Sequence, residues 1–269
     1  MNTSSNIQLM EKLIERFDYR GAIEIMKMEE DVNIRALKVL YCCKYRLNFD
    51  FQSAIQEVDD LIENQIKDRQ IRDMKINLEG LVAGKPDEIF SELLENTKIQ
   101  LINRRYIDFL SRVYRMKEAV LKYIFVKNHV GKDKFSFMTE VVSKRMILKI
   151  LRKKYKIYNP NLSFAITSYI NKYLKNDKRY MKVLEVLNSD KMNKIIELRN
   201  DCICGHGFKG VNKEVLENIY GDPFNIINDF ILVFKKMDVK IVRNSYDKIN
   251  RYLTNEIEKD SYSNCLENK

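Results

Sequence analysis

The sequence predicts an all-α protein, helical hairpins followed by a helical bundle. Three observations predict it. The 269 residues hold only eight glycines and three prolines, too few turn-formers for many short strands. Leu, Ile, Lys, Glu, Asn and Met dominate, and most of these suit helices, Asn and Ile less so. In the long central segment, apolar residues recur mostly at spacings of three or four, the period of a buried helical stripe.

The first part reads as hairpins. "FDYRGAIEI" from Phe17 and "FDFQSAIQE" from Phe49 are copies offset by 32 residues, pairing Asp18 with Asp50, Ala22 with Ala54 and Ile23 with Ile55. That offset approaches the period of helix-turn-helix repeats. With two copies rather than three, two similar hairpins packed on the rest of the protein fit better than a free-standing solenoid. Gly80, Gly84 and Pro86 in "EGLVAGKPDE" punctuate the chain, because proline resists continuation of a preceding helix. They divide it into an N-terminal hairpin region, 1–87, and a second domain, 88–269.

From Glu88 a long helical region follows. In "YIDFLSRVYRMKEAVLKYIF" the stripe is Ile107, Leu110, Val113, Tyr114, Val120, Leu121 and Ile124. "NHVGKDK", 128–134, reads as a basic loop, with His129 solvated in it. The run 143–160 carries Lys144, Arg145, Lys149, Arg152, Lys153, Lys154 and Lys156, interleaved with Tyr155 and Tyr158. Such a stripe suits an RNA backbone, with a tyrosine to stack on a base. A helix whose lysines simply lie in water fits the run slightly better. Pro160 ends the run, another helix follows around 162–175, and the polar tail beyond Asp260 is expected to fray.

Composition narrows the partners. No run of 18 apolar residues exists, so no segment is expected to span a membrane, and "MNTSSNIQLMEKL" lacks the pattern of a secretory signal. The five cysteines, Cys42, Cys43, Cys202, Cys204 and Cys265, are odd in number. Reduced thiols in a cytoplasmic protein are expected. Neither CC nor CxC has the second half of a zinc site, and no cofactor is expected. A net charge of +10 favours an anionic partner such as RNA.

The segment that carries chemistry is "RNDCICGH", 199–206. A helix capped by Ser189 or Asp190 and wound onward puts Met192, Ile195, Ile196, Leu198, Cys202 and Ile203 on one side. Continued to His206, it brings Arg199 and His206 nearly into line, since seven residues advance about 700°. That line runs through the apolar side. An unpaired buried guanidinium costs several kcal/mol by order of magnitude. Either a carboxylate from a neighbouring helix satisfies Arg199, or this side is a subunit interface where Arg199 and His206 line a cleft. Gly205, Gly207 and Gly210 surround His206. They would end the helix and leave space beside the imidazole.

"LRNDCICGHGFKGV" resembles the signature of HEPN ribonucleases, an arginine, a polar residue and a histidine four to six positions on. Arg199, Asn200 and His206 fill those places. The trailing "GHGFKGV", together with "RYIDFLSRVYRMKEAVLKYI" and "FDYRGAIEI", is similar to the ancillary ribonucleases of type III-A CRISPR systems, the Csm family. The resemblance implies a HEPN-type bundle that cuts single-stranded RNA without metal, at a composite site of a homodimer. The products would be a 2′,3′-cyclic phosphate and a 5′-hydroxyl, with Arg199, Asn200 and His206 catalytic. Lys149, Arg152, Lys153 and Lys209 would contact RNA. Members of that family usually carry an N-terminal CARF domain that senses cyclic oligoadenylate. The helical N-terminal region does not fit one, so such sensing is expected only through a domain absent from this chain. A HEPN toxin of a toxin–antitoxin pair, and a helical RNA-binding protein without catalysis, are the alternatives.

Overall fold

The structure, a computed structural model, describes residues 3–63, 68–131 and 135–267, and among them there are helices and no strands. The protein is all-α. The chain divides into two compact units, one of residues 1–82 and 243–269, the other of residues 83–242.

The first unit holds α1 (Thr3–Glu15), α2 (Tyr19–Met26), α3 (Ile34–Leu47), α4 (Phe51–Glu63), α5 (Arg69–Val82) and α14 (Ser245–Glu267). Each of α1 to α4 packs on the next, and α14 packs on α1 and α3. The 32-residue copies mark one repeated device. Phe17 and Phe49 both take left-handed backbone, φ 59° and 60°, a conformation that costs a residue with a Cβ roughly 1–2 kcal/mol. Each closes the helix before it: Asp18 N–H donates to the Leu13 carbonyl (2.8 Å) and Asp50 N–H to the Tyr45 carbonyl (3.0 Å). Each aspartate then caps the next helix, its carboxylate accepting from the amide of Gly21 or Ser53, both at 3.1 Å. Ala22 and Ala54 are fully buried, as the close approach of paired helices requires.

The unit boundaries differ from the expected division at residue 87. The break falls at 82–83, and residues 243–269 belong with the N-terminal hairpins rather than the second domain. The reason lies in α14. Tyr246, Ile249, Leu253 and Ile257 are buried. Asn250 accepts from Tyr19 Oη (2.7 Å) and donates to the Ile14 carbonyl (2.8 Å). Arg35 pairs with Glu256 at 3.0 Å. Side chains from residue 260 on, where fraying is expected, lie outside the described residues.

The second unit holds α6 (Pro86–Ile102), α7 (Tyr106–Val130), α8 (Lys144–Tyr155), α9 (Leu162–Tyr173), α10 (Lys178–Leu187), α11 (Asp190–Asp201), α12 (Lys213–Tyr220) and α13 (Phe224–Lys236). Pro86 stands at the first position of α6, where its missing N–H is no loss. The helix α7 runs through the middle, packed by α6, α9 and α11. Its core includes Phe109, Val113, Met116, Val120 and Ile124 against Ile166, Ile195 and Leu198. Between α6 and α7, Arg104 repeats the left-handed closing turn at φ 56°, with Arg105 N–H donating to the Gln100 carbonyl at 2.9 Å.

The expected loop at 128–134 begins later than the sequence indicates, because α7 continues to Val130 and residues 132–134 lie outside the described set. His129 is therefore not solvated. It is half-buried, stacks on Phe125 with ring centroids 5.6 Å apart, and its Nδ1 lies 3.1 Å from Tyr155 Oη. Burial first, and then the nearby Lys154 ammonium, hold its pKa below the ordinary histidine value. Among the described residues, no helix is long and apolar enough to cross a membrane.

Candidate functional site

The site is built at the C-terminal end of α11. Ser189 caps the start, its hydroxyl accepting from the Met192 amide at 3.3 Å. Met192, Ile195 and Leu198 then bury the inner face, with Ile196 half-buried beside them. The helix ends at Asp201, because Cys202 takes extended backbone (φ −90°, ψ 171°). The expected helical alignment of Arg199 with His206 is therefore incorrect: the last five residues of that line are a turn.

The turn brings the histidine back by another route. His206 N–H donates to the Asn200 carbonyl (2.9 Å) and Lys209 N–H to the Asp201 carbonyl (2.8 Å), so the loop folds over the open end of the helix and satisfies carbonyls left free there. This works only with glycine at two positions. A Cβ on Gly205 would stand 2.6 Å from Asn200 Cα, and one on Gly207 would stand 2.6 Å from the Asp201 carbonyl carbon. These glycines serve close packing of the loop on the helix rather than open space beside the imidazole. Gly210 meets nothing within 4 Å.

The cysteines fasten the loop. Cys202 is buried, its thiol donating to the Leu198 carbonyl at 2.9 Å, and burial raises its pKa. Cys204 is half-buried. Its Sγ reaches the Ile107 carbonyl of α7 (3.9 Å) and the Arg199 carbonyl (3.6 Å). Cys202 and Cys204 are free thiols, while the side chain of Cys265 lies outside the described residues.

Arg199 is half-buried, and Asn200 and His206 are exposed. The Arg199 guanidinium lies over the Tyr114 ring at 4.6 Å, and its Nη1 donates to Asn200 Oδ1 at 3.2 Å. Its Nε is buried without a hydrogen-bond partner. Among the described residues no carboxylate lies within ion-pair distance of it. Of the two explanations for an arginine on this side, the carboxylate partner is thus not found among the described residues; Arg199 instead lines a cavity of about 380 Å³ with Tyr114, Arg115, Glu118, Lys122, Lys144 and Ser163, and His206 is not part of its lining. Ile203 and Phe208 stand 70% and 93% exposed on the loop that carries His206. Ile203 therefore does not join the buried face of α11.

The other expected RNA contacts divide. Lys149, Arg152 and Lys153 are exposed along α8, whose inner face buries Ile147 and Leu151, but they do not line the cleft with Arg199. Lys209 is exposed on the loop, 4.0 Å from Asp201. Tyr155 is engaged with Phe125, His129, Tyr169 and Tyr173, whereas Tyr158 is 65% exposed. Sequence reading missed Tyr114 as a site residue, since it falls on the apolar stripe of α7. It also missed Ser163, which reaches the cleft only through packing of α9. Among the described residues, no three His, Cys, Asp or Glu side chains gather as metal ligands would. No protein-family model matches the chain, and no curated protein matches it.

Proposed function

We propose that this protein is an endoribonuclease of the HEPN type. It cleaves single-stranded RNA without metal, at a site shared by two copies of the chain, in the antiviral defence of type III CRISPR systems. One observation carries the reading: the loop of His206 is hydrogen-bonded back to Asn200 at the end of α11, where Arg199 lines a basic cleft and has no carboxylate partner among the described residues. The resemblance of "LRNDCICGHGFKGV" to the HEPN signature supports it.

The residue types suit the chemistry. RNA supplies its own nucleophile, the 2′-hydroxyl beside the scissile phosphate. One imidazole takes the proton of that hydroxyl as its oxygen attacks phosphorus. The P–O5′ bond breaks, and an imidazolium returns a proton to the leaving 5′-oxygen. The products are a 2′,3′-cyclic phosphate and a 5′-hydroxyl, with no water or metal consumed. Two proton-transfer roles need two imidazoles, and a twofold dimer brings a second His206. The Arg199 guanidinium binds the phosphate oxygens and stabilises their rising charge. Asn200 holds Arg199 through Oδ1 and the His206 loop through its carbonyl. The exposed Ile203 and Phe208 supply apolar surface for the second copy beside the reacting groups.

The test is cleavage of a labelled single-stranded RNA by the wild type, Arg199→Ala and His206→Ala. Loss of either side chain is expected to slow cleavage by about a hundredfold or more, with dimer and helical content intact. Full activity in the double variant would reject the reading.

A further inference from the structure

The cleft beside Arg199 extends well past the reacting groups. Its walls come from three helices: Tyr114, Arg115 and Lys122 on α7, Lys144 at the first position of α8, and Ser163 in the first turn of α9. The charges are not balanced. Glu118 is the acid that lines it, and it is already paired with Arg115 (3.3 Å) and Lys122 (2.7 Å). Lys144 and Arg199 have no carboxylate within ion-pair distance among the described residues. At the α9 end, the Phe164 amide donates to Asn161 Oδ1 (3.2 Å) and the Ala165 amide to the Asn161 carbonyl (2.9 Å). The amides of Leu162 and Ser163, the first two of α9, lack an acceptor among the described residues, as helix starts do.

From this cluster of two uncompensated cations and free donors in one cavity, we infer that the cleft is a second phosphate subsite. It holds the phosphodiester next to the scissile one in single-stranded RNA, with Lys144 as its principal cation. The site reads backbone and not bases, because its donors are the Lys144 ammonium and amides, beside an Arg199 that holds the scissile phosphate, and both are suited to phosphate oxygens. A volume of about 380 Å³ falls within the range of clefts that take small ligands. Arg115 and Lys122 are held back from this role by Glu118, which fixes their heads and offsets one of their two charges. The inference rests on the ribonuclease reading for its substrate, and it differs in location from Lys149, Arg152 and Lys153, which lie outside the cleft.

The test uses the full chain with His206→Ala to prevent cleavage, and a short fluorescent single-stranded RNA. Affinity is measured by anisotropy at several salt concentrations, with and without Lys144→Gln. Removing one phosphate contact is expected to weaken binding roughly tenfold and to reduce the slope of log affinity against log salt by about 0.7. In the cleaving chain, Lys144→Gln raises KM by a similar factor and leaves kcat close to wild type. Lys235→Gln, the same charge loss at an exposed position on α13, leaves both slope and KM in place. An unchanged slope and affinity in Lys144→Gln, or an equal loss in Lys235→Gln, would overturn the subsite while cleavage by the wild type still stood. RNA binding that depends on Lys144 without any cleavage by the wild type would instead reject the ribonuclease and keep the subsite. Absence of RNA binding overturns both.

Discussion

The Arg199 guanidinium lies 4.6 Å from the centroid of the Tyr114 ring. An arginine at the end of α11 is thus held by an aromatic side chain of α7. This hold fixes the plane of the guanidinium without neutralising it, whereas a carboxylate would compete with a phosphate for the same N–H groups.

Tyr114→Leu removes the ring and keeps an apolar side chain. Its kcat/KM on RNA is expected to fall about fivefold, corresponding to the ~1 kcal/mol of a partly exposed cation–π contact. Tyr114→Phe, which retains the ring face, stays close to wild type. An equal loss in both variants would point to the hydroxyl and away from the stacking.

The loop glycines make a sharper contrast. Gly205→Ala and Gly207→Ala drive a methyl into the backbone of Arg199–Asp201 and are expected to cost about 2–3 kcal/mol in urea unfolding. Cleavage falls as well, because the His206 loop leaves the helix end. Gly210→Ala, with open space around it, changes stability by less than about 0.5 kcal/mol. Equal effects at all three positions would contradict the hooked loop.

Lys117 is a buried cation, 8% exposed on α7, and its contact is Asn193 Oδ1 at 3.4 Å. Burial lowers its pKa from 10.5 to about 8. The unfolded chain therefore binds the proton more tightly than the folded one. The penalty is fully present below pH ~8 and is relieved as the pH rises to about 10.5, so this group makes stability increase across that window. Lys117→Met is expected to stabilise the protein at pH 7 by an amount on the order of 3 kcal/mol. The gain over wild type should shrink towards pH 10.5 in urea titrations. A gain that does not vary with pH would show that packing and not charge is responsible.

Phe208, 93% exposed beside His206, is assigned here to contact with a second copy. Phe208→Asp places a charge in that contact and is expected to shift the chain to monomer in sedimentation, with unchanged helical content and loss of RNA cleavage. A monomeric wild type of full activity would remove the shared site.

Much of the fold was legible because its signals are local. The paired "FD" segments announced two similar hairpins, while their left-handed phenylalanines and capping aspartates became visible only in the structure, and Ser189 or Asp190 announced the start of α11. The turn between α6 and α7 was not legible, since Arg104 makes it with neither glycine nor proline. Nor was the placement of α14, which depends on contacts such as Asn250 with Tyr19 and Ile14, more than 200 residues away in sequence. At the site, the sequence marked Arg199, Asn200 and His206 but joined them by a helix that stops at Asp201. Periodicity carries no record of where a chain leaves its helix, and the two glycines that permit the hook also read as a simple terminator. The cleft escaped notice because Tyr114, Lys144 and Ser163 meet only through packing.

The most direct measurement is mass spectrometry of the ends produced when the purified protein, with chelator present, meets single-stranded RNA. The account predicts fragments ending in a 2′,3′-cyclic phosphate with partners beginning in a 5′-hydroxyl, absent when His206→Ala replaces the wild type. Intact RNA, fragments bearing a 5′-phosphate, or the same fragments formed at wild-type rate by His206→Ala would contradict it.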